Sequence, residues 1–254
     1  MSMPIADGES PVDEVDVAII GGGINGTGVA RDLALRGLRI ALFERNDLAF
    51  GASGNSSGMI HGGARYLLRS PQVTESSCRD SGYIQQIAPN LLFRIPFLMP
   101  VRNGPRGRIA LELVDAFFRA YDDYQPLKRG KPHCRLDASD FARLEPGLAG
   151  AIVGGISFDE WGVDGARLCA LNAIDAIEHG SRVHVHTTVE SIARLVNVDG
   201  SSARYVVEAR ERFTQERLRI SARVVVNATG AWIPVTAAIG GLPQARVRVR
   251  PGKG

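Results

Sequence analysis

The chain has 254 residues, 44% hydrophobic and 22% charged, with 29 glycines, so it is long enough to bury a sizeable core and is neither disordered nor fibrous. Its 30 basic and 27 acidic side chains leave a net charge of only +3, which excludes the strong positive field of a nucleic-acid-binding protein. Three scattered cysteines, Cys78, Cys134 and Cys169, form no CxxC pair; they exclude a disulfide framework and a zinc site and point to a reducing, cytoplasmic compartment.

Residues 1–14 carry Asp7, Glu9, Asp13 and Glu14 and no apolar run, which reads as a flexible tail and not as a signal peptide. Residues 15–20 (VDVAII) are nearly all apolar and run into glycines, the pattern of a central parallel strand covered on both faces. A helix is expected over 25–36, stopped by Gly37, and a second apolar strand over 38–43, closed by Glu44. Together these make a βαβ unit whose helix N-terminus faces the crevice beyond the strand ends. Residues 46–63 are loop-like and glycine-rich, longer than a connector needs to be unless it holds a ligand.

Helices follow over 73–88 and 106–124, the second with Ile109, Leu113, Ala116, Phe117 and Ala120 on one face, read as the core-facing side. Five prolines from Pro89 to Pro126 punctuate an excursion out of the first α/β layer, and 151–158 reads as a strand. A helix over 166–179 and a strand over 182–189 resume the α/β pattern. Short β runs at 205–209 and 217–220 suggest a small meander, and 224–228 a final buried strand before the turn at Thr229 and Gly230. Residues 224–245 lack charge, but Pro234, Pro243 and the Gly240–Gly241 pair divide them into strand, turn and short helix, not a membrane span. The alternation at 246–250 has strand period, and the chain reads as cut before a partner strand appears.

Gly21, Gly23 and Gly26 form GxGxxG between the first strand and the first helix. Gly21 permits the tight turn, Gly23 lets backbone approach a pyrophosphate, and Gly26 lets the helix pack closely on the strand. Glu44 ends the second strand, where a carboxylate accepts hydrogen bonds from both ribose hydroxyls of an adenosine. The second glycine-rich loop adds Ser53, Ser56, Ser57, His61, Gly62 and Gly63, hydroxyls and bare amides suited to a long polar cofactor. These features indicate a doubly wound α/β dinucleotide-binding domain of Rossmann-like type carrying an inserted α+β segment.

The stretch IIGGGINGTGVARDLALRGLRIALFER, followed by GNSSGMIHGGARYLL, resembles the flavin-dependent glycerol-3-phosphate dehydrogenases, within the wider group of D-amino-acid oxidase-like flavoproteins. The likeness continues through LEPGL (144–148), WGVDGARL (161–168) and VVNATGAW (225–232). The resemblance implies FAD as cofactor, in the glutathione-reductase type of Rossmann-like domain. It implies that Ile24, Asn25, Glu44 and Arg45 hold the ADP half, and that Ala52, Ser53, Ser56 and Ser57 follow the pyrophosphate and ribityl chain. His61, Gly62 and Gly63 would approach the isoalloxazine ring, Val189 the adenine, and Ala228, Thr229 and Gly230 the dinucleotide. Arg65 and Tyr66 match positions facing substrate. Where many members have Ser-Ser-Lys-Leu-Ile-His, this sequence has Ser57, Gly58 and Met59 before the Ile-His pair, without the lysine.

The implied reaction is oxidation of sn-glycerol 3-phosphate to dihydroxyacetone phosphate, with electrons passed to a quinone and peripheral association with the inner face of the cell membrane. His61 is the candidate base or flavin partner and Arg65 the candidate anchor for the substrate phosphate. An amine or 2-hydroxy acid oxidase on the same cofactor fold, and a catalytically incompetent flavin-binding fragment, are the alternatives. Members of the family run for about as much chain again. The implied organisation is a tail (1–14), a first FAD-binding segment (15–88), a partial substrate or cap segment (89–160), a second FAD-binding segment (161–242) and the start of a return to the substrate sheet (243–254).

Overall fold

The computed structural model describes residues 13–148, 150–196 and 203–241. Of the tail expected over 1–14, residues 1–12 lie outside the described residues, as does the return segment expected at 243–254, while Asp13 and Glu14 belong to the first strand and not to a tail, since they pair with Ile220 and Ser221. The chain opens with the βαβ unit: β1 (Asp13–Ile20), α1 (Ile24–Leu35) and β2 (Ile40–Phe43). The excursion comprises β3 (Met59–Ile60), α2 (Pro71–Ile87), β4 (Leu92–Arg102), α3 (Gly107–Asp122), β5 (Cys134–Asp137), α4 (Ala138–Leu144) and β6 (Ile152–Val163). The return consists of α5 (Gly165–Glu178), β7 (Arg182–His184), β8 (Thr187–Val196), β9 (Ala203–Glu211), β10 (Arg217–Asn227) and α6 (Ile233–Ile239).

Two compact units result, one from residues up to 57 together with those from 165, the other from 58–164. The excursion therefore begins at Gly58 instead of after Ala88. The reason lies in α2, whose buried Thr74, Cys78 and Ser81 donate hydrogen bonds to the carbonyls of Gly63, Gly62 and Ile60 and so bind that loop to the second unit. At the other end β6 continues to Val163, paired with β4 along its length, and keeps 161–164 in the same unit.

The first unit is built on a six-stranded sheet in the order β7-β2-β1-β10-β9-β8. The first four strands run parallel, and β9 and β8 continue antiparallel. Alternation along the strands sorts their side chains onto two faces. Val17, Ile19, Ile40 and Leu42 meet Ala30 and Ala34 of α1 and Ala176 of α5. Ala18, Ile20, Ala41 and Phe43 meet Val189, Val207 and Ala209 from the antiparallel strands and Ile220 and Ala222 of β10. Each fully buried Ile or Leu contributes roughly 1.5–3 kcal/mol. The small residues Gly26, Ala30 and Ala34, four apart on α1, let that helix lie close to the sheet.

Two strand expectations change here. The strand read at 182–189 is broken into β7 and β8 by a turn at His186, which takes φ 52°. The runs at 217–220 and 224–228 are one strand, β10, whose first half pairs with β9 and whose later part pairs with β1. The charge-free stretch at 224–241 is the end of β10, a short 3₁₀ turn and α6. No helix among the described residues is long and apolar enough to cross a membrane.

In the second unit β6 is the central strand, with β4 along one side and β5 and β3 sharing the other. Pro96 and Pro100 lie within β4 opposite Asp159 and Gly155. They are tolerated because β4 is an edge strand and needs donors on one side only. The core gathers Leu67, Cys78, Phe118, Tyr121 and Ile156. The buried face of α3 is Leu111, Asp115, Phe118 and Tyr121, not the stripe beginning at Ile109, which is 63% exposed, with Leu113 at 67%. Asp115 is tolerated on this face because the buried His133 ring meets its carboxylate at 3.1 Å and the exposed Arg119 pairs with it from the solvent side.

Candidate functional site

At the carboxyl end of β1 the chain turns through Gly21, whose φ of 110° is open to glycine and strained for other residues. A Cβ at Gly26 would lie 1.8 Å from the Gly21 carbonyl oxygen, so α1 can begin this close to the turn only with glycine there. The Ala228 amide donates to the Ile20 carbonyl at 2.8 Å and brings the turn after β10 against the same glycines. Gly23 is the N-cap of α1 and has no side chain to cap it. The Ile24 amide donates instead to Ser53 Oγ at 2.9 Å, while the amides of Asn25 and Gly26 have no partner among the described residues. Those two first-turn donors, at the positive end of the helix, suit an anion.

Glu44 leaves β2 and bends back, each carboxylate oxygen accepting one backbone amide: Gly22 on Oε2 and Asn46 on Oε1, both at 2.8 Å. Every carboxylate oxygen has a second lone pair, so the group is oriented by the backbone and still able to accept from a sugar hydroxyl. Around it opens a cavity of about 530 Å³, within the range of small-molecule sites. Of the residues expected to hold the cofactor, Gly23, Ile24, Asn25, Glu44 and Arg45 line this cavity. So do Ala52 and Ser53 from the loop, Val189 from β8, and Ala228, Thr229 and Gly230 from the turn after β10. Gly21 and Gly26 shape the turn beneath it, and Ser56 and Ser57 are exposed and outside the lining.

The sequence reading missed several lining residues. Trp232 is the largest: the Arg45 guanidinium lies 4.4 Å from its ring centroid, and Gly51 is bare where a Cβ would come within 3.2 Å of the indole. Its signal was its place at the end of VVNATGAW, two residues after the expected Gly230. Asn55 acts on the loop itself, donating to the carbonyls of Phe50 and Gly51 at 2.7 and 2.9 Å. Thr187 and Thr188 enter from the start of β8, a consequence of the strand break at His186 that periodicity alone did not reveal.

His61, Gly62, Gly63, Arg65 and Tyr66 belong to the second unit. His61 and Arg65 are exposed, Gly62 and Gly63 are buried, and Gly63 takes φ 72° before a short 3₁₀ turn over 64–66. Arg65 donates to the Tyr66 hydroxyl at 2.8 Å, its guanidinium 4.8 Å from the Tyr66 ring centroid. The phenol oxygen accepts from Arg65 and keeps its own proton to donate elsewhere.

Residues 16–254 match the family described as FAD dependent oxidoreductase. The chain is 35% identical to glycerol-3-phosphate dehydrogenase 1 of Mycobacterium bovis, over 98% of this chain and 46% of that protein. It is 34% identical to D-erythritol 1-phosphate dehydrogenase of Brucella abortus, over 86% of this chain and 42% of that protein. Among solved structures it is similar to the glycerol-3-phosphate dehydrogenase of Bacillus halodurans complexed with FAD, with a TM-score of 0.63 and 25% identity, over 89% of this chain and 36% of that one. The chain thus spans less than half the length of each of these proteins.

Proposed function

The chain belongs to the FAD-dependent oxidoreductases, and from that premise we propose that it carries the dinucleotide site of an enzyme oxidising sn-glycerol 3-phosphate to dihydroxyacetone phosphate. The observation that carries this reading is the cavity at the end of β1, where a glycine turn, free helix-start amides and the backbone-held Glu44 carboxylate converge. Residues fit each part of FAD's nucleotide half: the Asn25 and Gly26 amides the pyrophosphate, Glu44 the ribose, Val189 and Trp232 the apolar rings. When bound, FAD supplies a planar acceptor for the hydride leaving the substrate carbinol carbon.

The chain's own residues do the rest. His61 takes the hydroxyl proton, an imidazole being suited to that transfer near neutral pH. Arg65 pairs with the substrate phosphate, and Tyr66 donates its remaining proton beside it. Electrons then pass to a quinone at the inner face of the cell membrane. That last step rests on the family resemblance and on α3, where exposed Ile109 and Leu113 lie on the same side as Arg106, a surface suited to peripheral contact with anionic lipid.

An absorption spectrum of the purified chain, followed by anaerobic addition of glycerol 3-phosphate, tests the reading. A flavin spectrum that bleaches supports it. Bleaching by erythritol 1-phosphate alone moves the substrate to a longer polyol phosphate, and bleaching by glycine or a 2-hydroxy acid moves it to the oxidase alternative. Soluble folded protein that takes up no FAD overturns it.

A further inference from the structure

Beneath the loop at 61–63 lies a closed polar network that the proposed chemistry does not use. Lys128 and Glu160 have side chains only 1% and 4% exposed and meet at 2.7 Å, Nζ to Oε2. The ammonium's other two protons go to the Tyr121 hydroxyl at 3.2 Å and the Asp159 carbonyl at 3.3 Å, so all three of its donors are used. Tyr121 donates to Glu160 Oε1 at 2.8 Å. Burial, and then the Glu160 charge, push the Tyr121 phenol far above its ordinary pKa, so it remains a donor. Glu160 Oε2 accepts one further hydrogen bond, from the Gly62 amide at 3.1 Å.

The neighbouring peptide groups are fixed as firmly. The Gly62 carbonyl accepts from the Cys78 thiol at 3.4 Å, and burial raises that thiol's pKa and keeps it protonated. The Gly63 carbonyl accepts from Thr74 Oγ1 at 3.1 Å and from the Tyr66 amide at 2.9 Å. A Cβ at Gly62 would fall 2.1 Å from the Tyr121 oxygen, so the loop backbone lies directly on the phenol. Both polar groups of Gly62 and the carbonyl of Gly63 are thus turned into the unit. The Gly63 amide has no partner among the described residues, and the His61 side chain is exposed.

We infer that Glu160, held by Lys128 and Tyr121, is a positioning residue that fixes the Gly62 peptide, so that this loop offers a flavin the Gly63 amide and the His61 ring and no carbonyl from Gly62 or Gly63. A buried ion pair is a poor source of net stability, since desolvation offsets its attraction. Its value here is directional, because a carboxylate restrained by two donors can hold an amide at one orientation. The inference rests on the reading of residues 61–63 as flavin-facing.

Two double variants test it in the full chain. Glu160→Gln with Lys128→Met removes both charges but keeps an oxygen for the Gly62 amide and a donor for Tyr121. Glu160→Leu with Lys128→Met is also neutral and leaves the Gly62 amide without an acceptor. The first should match wild type in Gly62 hydrogen exchange, flavin absorption and reduction potential. The second should unfold cooperatively and retain FAD through the nucleotide half, with Gly62 exchange faster by about tenfold or more, as loss of a bond to a charged acceptor implies. Its flavin absorption band and potential should shift. A Leu/Met variant that holds FAD with wild-type absorption and potential overturns the inference. Should either double variant fail to fold, Tyr121→Phe, which loosens one side of the carboxylate, must shift the potential, and no shift overturns the inference equally. Wild-type chain without FAD would instead overturn the functional reading beneath it.

Discussion

The Glu44 carboxylate and the Gly22 amide are joined by a 2.8 Å hydrogen bond, so the acid that ends β2 also fixes the peptide between the first two motif glycines. One side chain therefore shapes the phosphate turn and presents itself to the sugar. Glu44→Ala strips the acceptor from two amides, those of Gly22 and Asn46. Unfolding free energy should fall by about 2 kcal/mol and FAD affinity by at least about tenfold, measured by urea denaturation and flavin titration. Glu44→Gln keeps one acceptor and should lie between. If it binds FAD as wild type does, the carboxylate does not meet the ribose.

Two glycines in α1 should respond in opposite senses. At Gly26 an added Cβ collides with the backbone of Gly21, whereas at Gly28 it meets nothing within 4 Å. Gly26→Ala should cost ~3 kcal/mol and abolish FAD uptake. Gly28→Ala relieves the entropy cost of glycine inside a helix and should stabilise by ~0.5–1 kcal/mol, with FAD affinity unchanged. Thermal melting of both variants, with and without FAD, checks the pair.

His184 stacks on Phe43 with ring centroids 5.2 Å apart, and burial, then the Arg182 charge, hold its pKa below the ordinary value of 6.5. Asp13 and Glu216 oppose that shift only in part. The folded state thus resists a proton that the unfolded chain accepts below about pH 6.5. The neutral ring's contribution is complete above that pH and is lost as pH falls toward the lower folded pKa. Wild type should lose melting temperature between pH 7 and pH 5, and His184→Phe, which keeps the stack without the titration, should lose less. Equal slopes would remove His184 as the cause.

Trp232 lines the cavity beneath the Arg45 guanidinium, and the only other tryptophan, Trp161, belongs to β6 of the second unit. Titration with ADP, which absorbs at none of the indole emission wavelengths, should change the intrinsic fluorescence. The change should vanish in Trp232→Phe and persist in Trp161→Phe. Loss of the Arg45 stacking partner should also weaken ADP binding severalfold, as an exposed cation–π contact of about 0.5–1 kcal/mol implies. A response that survives in Trp232→Phe would place the nucleotide elsewhere.

What the sequence disclosed and what it hid follow from the range of the interactions involved. GxGxxG, Glu44 and the helix between them are adjacent in sequence, and their glycines are dictated by local backbone geometry, so the first βαβ unit was legible almost to the residue. Trp232 and Thr187 reach the cavity only through the register of β10 and β8, which no local pattern encodes. β4 was hidden because Pro96 and Pro100 argue against a strand until its edge position is known. The face of α3 was misread because Asp115, a polar residue on the buried side, is hydrogen-bonded by the His133 ring 18 residues away and paired with Arg119 one helical turn on. Lys128 and Glu160 gave no sign at all, since an isolated lysine and glutamate 32 positions apart look like surface residues until the fold closes over them.

The pairing of β1 with β10 joins residues 13–20 to residues 220–227. A ribosome extending the chain at roughly 5–20 residues per second exposes β1 for ten seconds or more before its inner neighbour has been made. In the second unit, by contrast, the sheet strands among the described residues all lie between Met59 and Val163. It can therefore assemble during synthesis, while the apolar edge of β1 waits beside β2, open to pairing with another chain until β10 has been made.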